Sequence, residues 1–283
     1  MLKPDTPLFS VIIPTYNRRY LFETALKSVL NQTYMDFEVI VVDDGSTDQT
    51  SEVIQNFVDA RIKYLHQENH GVSHARNRGL EISKGKFMAF LDSDDRWVPQ
   101  KLRRAKESID RYPDICIFHT DEIWYKGGTL LNQMKKHKKP SGYVYLKALP
   151  LCCIGMSTSV VKREVFETIG VFDESLPACE DYDFWLRATH SFEVKLINEN
   201  LTIKDGGRRD QLSSQWGLDK HRIKALEKML CSNNLNVEEY RFTCGELVKK
   251  CRIYASGAEK RGRQEEANLY NELARKYPFE NEG

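Results

Sequence analysis

Phe87-Met88-Ala89-Phe90-Leu91-Asp92-Ser93-Asp94-Asp95 is an apolar run that ends abruptly in three carboxylates. Its apolar part has the length of a buried strand. In an open α/β sheet such a strand delivers Asp92, Asp94 and Asp95 together just past its carboxyl end, where these sheets bind ligands. Carboxylates this close raise one another's pKa unless a cation compensates them, and a hard oxygen-ligand set of this kind suits Mg²⁺ or Mn²⁺, usually with phosphates attached. A plainer reading of the same residues is a turn followed by an aspartate cap for a helix starting near Trp97. The surrounding chain decides between the two.

Upstream, residues 9–13 are β-branched and apolar. Pro14 closes that strand because it has no ladder donor, which leaves Thr15, Tyr16 and Asn17 in the loop beyond. Residues 20–30 carry helical apolar spacing, and 37–42 form a second apolar strand closed by Asp43-Asp44-Gly45-Ser46. A helix over 49–57, capped by Thr47 or Asp48, a short strand at 62–65 and a helix over 74–82 lead into the acidic strand. Four strands alternating with helices predict an α/β fold with an open, mostly parallel sheet. Their carboxyl ends collect Thr15, Tyr16, Asp43, Asp44 and the three later aspartates on one edge.

Downstream, helices are expected at 102–112 and 165–170, and strands at 115–119 and 157–161. Residues 126–139 are polar and basic, and read as a mobile excursion. Glu180-Asp181-Tyr182-Asp183-Phe184-Trp185 is acidic first and amphipathic after, as a helix amino terminus should be. Beyond Lys204 the chain turns mainly helical, near 216–230, 237–257 and 263–275. The last two have the small-plus-aromatic spacing of a helical hairpin resembling one tetratricopeptide unit. The division expected is 1–205 for the α/β domain and 206–283 for a helical carboxyl-terminal extension.

Bulk composition narrows the partners. The 42 lysines and arginines nearly balance the 41 aspartates and glutamates, so no overall field attracts nucleic acid. The seven cysteines include the adjacent pair Cys152-Cys153 but no Cys-x-x-Cys spacing, so buried apolar filler in a reduced, cytoplasmic chain is the simplest account. His66, His70, His74 and His119 share no spacing and read as structural or surface residues. No stretch approaches the ~20 apolar residues of a membrane span, so neither insertion nor export is expected.

With these pieces placed, the chain resembles family 2 glycosyltransferases of the nucleotide-diphospho-sugar fold called GT-A. The resemblance is carried by Val11-Ile12-Ile13-Pro14-Thr15-Tyr16-Asn17-Arg18, by Val41-Val42-Asp43-Asp44-Gly45-Ser46-Thr47-Asp48, by the GVSHARNRG segment at 71–79, by Phe90-Leu91-Asp92-Ser93-Asp94-Asp95, and by the Glu180 to Trp185 motif. It implies a metal-dependent, inverting transfer of a sugar from a nucleotide-diphospho-sugar, UDP-sugar favoured, to a hydroxyl of a saccharide or lipid-linked acceptor. Cell-surface polysaccharide or glycan synthesis is the implied setting, in the cytoplasm or at the inner face of the membrane. Peripheral membrane contact and homo-oligomers are compatible with it.

By the same resemblance Pro14, Thr15, Tyr16, Asp44, Arg76, Asp92 and Ser93 bind the donor nucleotide. Asp44 would accept from a base N–H, Arg76 would lie near the phosphates and Asp92 near the ribose. Asp94 would ligate Mn²⁺ or Mg²⁺, with Asp95 behind it. Asp181 matches the general base, Glu180 and Asp183 being competing carboxylates. Trp185 faces either the core or the acceptor sugar. Many relatives have a histidine where Arg208-Arg209 stand. These arginines either clamp the diphosphate from a closing loop over 206–215 or form a solvated basic turn. Two other classes stay open: a catalytically silent nucleotide-sugar-binding or scaffold module, and a nucleotidyltransferase. The latter wants a glycine-rich phosphate loop after the first strand, and Pro14-Thr15-Tyr16-Asn17-Arg18 has no glycine.

Overall fold

A computed structural model of the chain describes residues 6–132, 137–207 and 216–277. Arg208, Arg209 and most of the expected closing loop lie outside the described residues.

The first half is a parallel α/β unit. Strands β1 (Phe9–Thr15), β2 (Phe37–Asp43), β3 (Ile62–His66) and β4 (Phe87–Phe90) alternate with helices α1 (Arg19–Leu30), α2 (Thr50–Gln55) and α3 (Val72–Ile82). All four strands pair in parallel, in the order β3-β2-β1-β4. Contrary to the sequence reading, Pro14 does not end β1, which runs on to Thr15 beside Asp43 of β2. The Ile12 carbonyl accepts from Leu91 on the β4 side and the Thr15 carbonyl accepts from Asp44 on the β2 side. By alternation the donor that Pro14 lacks falls on the β4 side, one step past the last β1–β4 pair, where nothing needs it.

The second half is mixed. The acidic turn leads into a strand, β5 (Asp95–Trp97), and the next helix, α4 (Lys101–Arg111), starts later than the aspartate-cap reading required. There follow β6 (Ile117–Lys126), β7 (Thr129–Leu131), α5 (Tyr145–Ala148), β8 (Ser159–Lys162), α6 (Arg163–Ile169), α7 (Glu180–Ser191) and β9 (Val194–Gly206). The sheet continues from β4 as β8-β6-β9-β5, with β7 paired to β6. Two expectations change. The excursion at 126–139 contains the β6–β7 hairpin, apart from residues 133–136, which are not described. β9 went unread because Asn198-Glu199-Asn200 puts exposed polar residues in its middle, leaving no apolar alternation to see.

One face of the sheet packs on α1, α2 and α4 through Phe22, Leu26, Val53 and Leu102, and the other on α3, α6 and α7 through Ala75, Phe166, Phe184 and Trp185. Gly79 fixes how close α3 lies, since a Cβ there would sit 2.5 Å from Ile12 Cγ2. Helices α8 (Leu218–Cys231), α9 (Val237–Glu259) and α10 (Gln264–Lys276) form the carboxyl-terminal part, with an Asn236/Glu239 capping box starting α9. They share one apolar cluster with α5 and α7, in which Tyr145, Tyr182 and Leu186 meet Ile223, Leu226 and Leu247.

Candidate active site

Past the carboxyl ends of β1 and β2, two loops are laced together by neutral donors. Asn17, in a left-handed conformation at φ 50°, accepts from the amides of Thr47 and Asp48 at 2.7 and 3.2 Å, and its own amide donates to Ser46 Oγ at 2.9 Å. Asp43 is fully buried, accepting from Tyr64 Oη at 2.8 Å and the Ser46 amide at 2.9 Å. Asp44 accepts from the His70 and Gly71 amides at 3.0 and 2.8 Å and from Gln67 Nε2 at 2.7 Å. Asp44 thus holds the chain that enters α3. Gly45 is required where these loops meet: its φ is +82°, and a Cβ would lie 2.8 Å from the Asn69 nitrogen. Thr15 Oγ1, Gln67 Oε1 and Ser73 Oγ are buried without a hydrogen-bond partner, and all three border the segment Asp44 holds. Tyr16 stands exposed at the mouth and Pro14 lies buried in β1.

The acidic end is balanced by cations from distant elements. Arg76 on α3 is buried, with Nη2 donating to Asp92 Oδ1 at 2.8 Å and Nη1 to Glu180 Oε1 at 2.6 Å. Its fork therefore ties the turn after β4 to the start of α7, over the Phe172 ring. Burial opposes ionisation of Asp92, but Arg76 and Lys204 outweigh it and hold the carboxyl below its usual range. Glu180 goes the other way, because burial, helped by Asp181, exceeds the pull of Arg76. Burial, with Asp92 and Asp94 adding, pushes Asp95 up to about 7 against the Lys204 ammonium, whose Nζ is 3.5 Å from Asp95 Oδ2. Ser93 is buried and Asp94 is partly exposed.

Lys204 escaped the sequence reading along with its strand. In β9 it sits in register with Asp95; burial disfavours its charge, but the carboxylates of Asp95, Glu122, Asp92 and Asp94 together outweigh that and raise its pKa. A buried ion pair between Glu122 Oε1 and Lys139 Nζ, 2.9 Å apart, lies alongside. The only hint in the sequence was the alternation Thr202, Lys204 opposite Leu201, Ile203.

Around α7 the three candidate bases separate. Asp183 is buried, with Oδ2 taking the Arg187 guanidinium at 2.9 Å and Oδ1 the Lys228 ammonium from α8 at 2.6 Å. It ties helices together. Glu180 is held by Arg76. Asp181 is partly exposed, accepting from the Tyr182 amide at 2.7 Å and from Cys152 Sγ at 3.5 Å. Burial, with Asp181 adding, keeps the Cys152 thiol well above its ordinary pKa, so it stays a donor. Cys152 is thus a neighbour of the candidate base as well as apolar filler. Trp185 is fully buried between Phe184 and the sheet, so the core alternative is the one realised.

Among the described residues no three His, Cys, Asp or Glu side chains are grouped to hold a metal. Arg76 engages Asp92, Lys204 faces Asp95, and Asp94 between them is partly exposed. That donor set fits an ion arriving on a diphosphate, since Mg²⁺ and similar ions are commonly held by one or two carboxylates together with phosphate oxygens and water. No helix among the described residues is long and apolar enough to cross a membrane.

Comparison with known proteins shows the family and the fold. The family model described as glycosyl transferase family 2 matches residues 10–170. An Escherichia coli protein named UDP-Glc:alpha-D-GlcNAc-diphosphoundecaprenol beta-1,3-glucosyltransferase WfgD is 33% identical over 198 residues, covering 69% of this chain and 74% of that one. The chain spans 26% to 63% of the length of several other curated relatives, glycosyltransferases of Rickettsia species. In fold it is similar to Staphylococcus aureus TarS 1-349 in complex with UDP-GlcNAc, with a TM-score of 0.68 at 18% identity over 95% of this chain and 91% of that one. It is also similar to the mannosyltransferase PcManGT of Pyrobaculum calidifontis in complex with GDP-Man and Mn²⁺, with a TM-score of 0.64 at 18% identity over 97% and 84%.

Proposed function

The chain belongs to glycosyl transferase family 2 with a GT-A fold, and from that premise we propose that it transfers a sugar, with inversion, from a nucleotide-diphospho-sugar to a hydroxyl of a saccharide or lipid-linked acceptor. The observation that carries the proposal is the Asp92-Arg76-Glu180 bridge. One buried guanidinium joins the turn that bears Asp94 to the helix start that bears Asp181, so the groups for the leaving diphosphate and for the attacking hydroxyl face a common crevice. The nucleoside lies at the Thr15 and Asp44 end, where the unpartnered buried oxygens await donors. Arg76 acts on the donor through the two acids it positions.

Asp94 would hold a divalent ion, Mn²⁺ or Mg²⁺, together with the diphosphate; when bound, that ion stabilises the charge developing on the departing group. Asp181 takes the proton of the acceptor hydroxyl as its oxygen attacks the anomeric carbon and the bond to the diphosphate breaks. Partial exposure lets it reach a bound hydroxyl, and the Cys152 and Tyr182 donors orient it. Glu180, engaged by the buried Arg76, and Asp183, engaged by Arg187 and Lys228, cannot turn to an acceptor.

UDP-sugar is the favoured donor, in line with the names of WfgD and the TarS complex, and polysaccharide synthesis the favoured setting. A cytoplasmic site with peripheral contact to the inner membrane face suits a lipid-linked acceptor, and seven free thiols suit a reducing compartment. The division at 205 belongs to the same proposal, with the extension bracing α7 through the shared cluster and Lys228.

The test is Asp181→Asn, which keeps the shape and removes the base. Transfer is expected to fall by ~10²–10⁴-fold with donor affinity nearly unchanged. NMR of the wild-type product should show an inverted anomeric centre; a retained one, or near wild-type transfer by the Asn variant, would overturn the assignment.

A further inference from the structure

The sheet order sets a succession of environments along the crevice. β2 and β1 carry the nucleoside-end groups and β4 the carboxylates; β8, β6 and β9 come next. Both β4 and β6 are antiparallel to β8, so β6 runs the same way as β4. Its second half therefore projects past the sheet on the edge where Asp92, Asp94 and Asp95 lie.

That projecting half is broken open. Pairing of β6 with β8 stops at His119 and pairing with β7 begins at Trp124, while opposite β9 the register shifts twice, on either side of Asp121. Such irregularities leave strand residues unpaired and re-aim side chains, often beside active sites. Here they accompany a cavity of about 350 Å³ lined by Asp121, Glu122, Trp124, Asn132 and Asn200, with Leu130 on the hairpin side.

The lining suits a neutral, hydroxyl-rich ligand. Two carboxamides offer both donors and acceptors, two carboxylates accept from hydroxyls, and an indole offers an apolar face. An anion is disfavoured. Of the nearby cations, Lys139 is paired with Glu122 at 2.9 Å and Lys204 lies 3.5 Å from Asp95. Glu122 joins the cavity to the transfer site: a Cβ on Gly155 would stand 3.2 Å from Glu122 Oε2 and 3.6 Å from Lys204 Nζ, the ammonium that faces the acidic turn.

Resting on the glycosyltransferase reading, we propose that this cavity is a saccharide subsite, which binds one pyranose ring of the acceptor through Asn132, Asn200, Asp121 and the Trp124 indole. Nucleoside, diphosphate and acceptor sugar then follow one another along the strand order, and specificity for the acceptor resides in the β6–β7 hairpin. A lipid diphosphate would have to lie outside it.

Saturation-transfer NMR tests this on the full chain, with the methyl glycosides of glucose, galactose, mannose and N-acetylglucosamine as probes in the presence of Mn²⁺ and UDP or GDP. At least one glycoside should bind. Asn200→Ala and Trp124→Ala should each weaken it roughly three- to tenfold, as the loss of a hydrogen bond or an aromatic contact implies. Asn200 is exposed, so its variant keeps the fold even if the Trp124 variant does not. No glycoside binding to the wild type, unchanged binding in the variants, or displacement of the glycoside by pyrophosphate would each overturn the subsite. Nucleotide binding measured on the same samples separates the two readings: if it is intact while the subsite fails, the glycosyltransferase assignment stands, and if the wild type binds neither UDP nor GDP, that assignment falls first.

Discussion

The turns after β2 and after β4 both end a parallel strand in consecutive acids, yet they are stabilised in opposite ways. Asp43 and Asp44 are satisfied by neutral donors nearby in the fold, chiefly backbone amides and the Tyr64 hydroxyl. Asp92 and Asp95 are balanced by Arg76 and Lys204, full charges brought from another helix and a distant strand. Neutral hydrogen bonds make a turn rigid in its own right. Charge balance makes the other turn dependent on everything that positions the cations, and leaves it able to accept a further cation along with an anionic ligand.

The largest expected effect tests the second half of that contrast. Asp94→Ala should remove the Mn²⁺-dependent part of UDP or GDP affinity completely while leaving the melting temperature unchanged. Calorimetric titration with and without Mn²⁺ measures this, and full metal-dependent affinity in the variant would erase the distinction between the turns.

Next in size is Arg76→Met, which leaves the buried Glu180 and the half-buried Asp92 without their partner. Breaking a buried pair in this way costs about 3–5 kcal/mol, and urea unfolding should show it. A loss below that range would mean the acidic turn is as self-sufficient as the one after β2.

A third prediction uses pH at His119, which is fully buried on β6 and donates from Nε2–H to the Pro140 carbonyl, 2.7 Å away. Burial pushes its pKa down to about 4, with Lys139 and Lys101 adding and the Pro140 contact and Glu122 opposing. Unfolded, the imidazole takes up its proton near pH 6.5, so between about 6.5 and 4 the unfolded state binds more protons than the folded one. The contribution of this residue is thus complete above 6.5 and declines as pH falls, by about 2 kcal/mol at pH 5. His119→Gln should flatten that part of the unfolding profile, and equal acid slopes in the two proteins would refute it. The smallest effect belongs to the neutral turn: Asn17→Ala loses two accepted amide bonds in an exposed loop and should cost about 1 kcal/mol, insensitive to salt, whereas the Arg76 loss should vary with ionic strength.

Much of this was legible in advance because it is local. Apolar runs closed by acids marked β1, β2 and β4, and the acidic start of α7 marked its amino terminus. Asp94 lies in the turn after β4 and Asp181 in the first turn of α7. What failed locally failed for identifiable reasons. Pro14 was read as a strand end because the side of the missing donor depends on which neighbour has already stopped pairing. β9 was invisible because its polar middle is exposed at a register shift. Asp183 and Asp181 look alike in sequence because what distinguishes them, the Lys228 that holds Asp183, comes from α8.

The amino-acid sequence by itself determined the parallel α/β unit and the order of the acidic motifs on which the proposed chemistry rests, since periodicity and turn chemistry act over a few neighbours. Only the tertiary structure decided how those acids are balanced. Arg76 lies 104 residues from Glu180, and Lys204 reaches Asp95 because β9 and β5 pair antiparallel at the far edge of the sheet. Charge compensation depends on separation in space, and no sequence pattern encodes the separation of groups that distant in the chain.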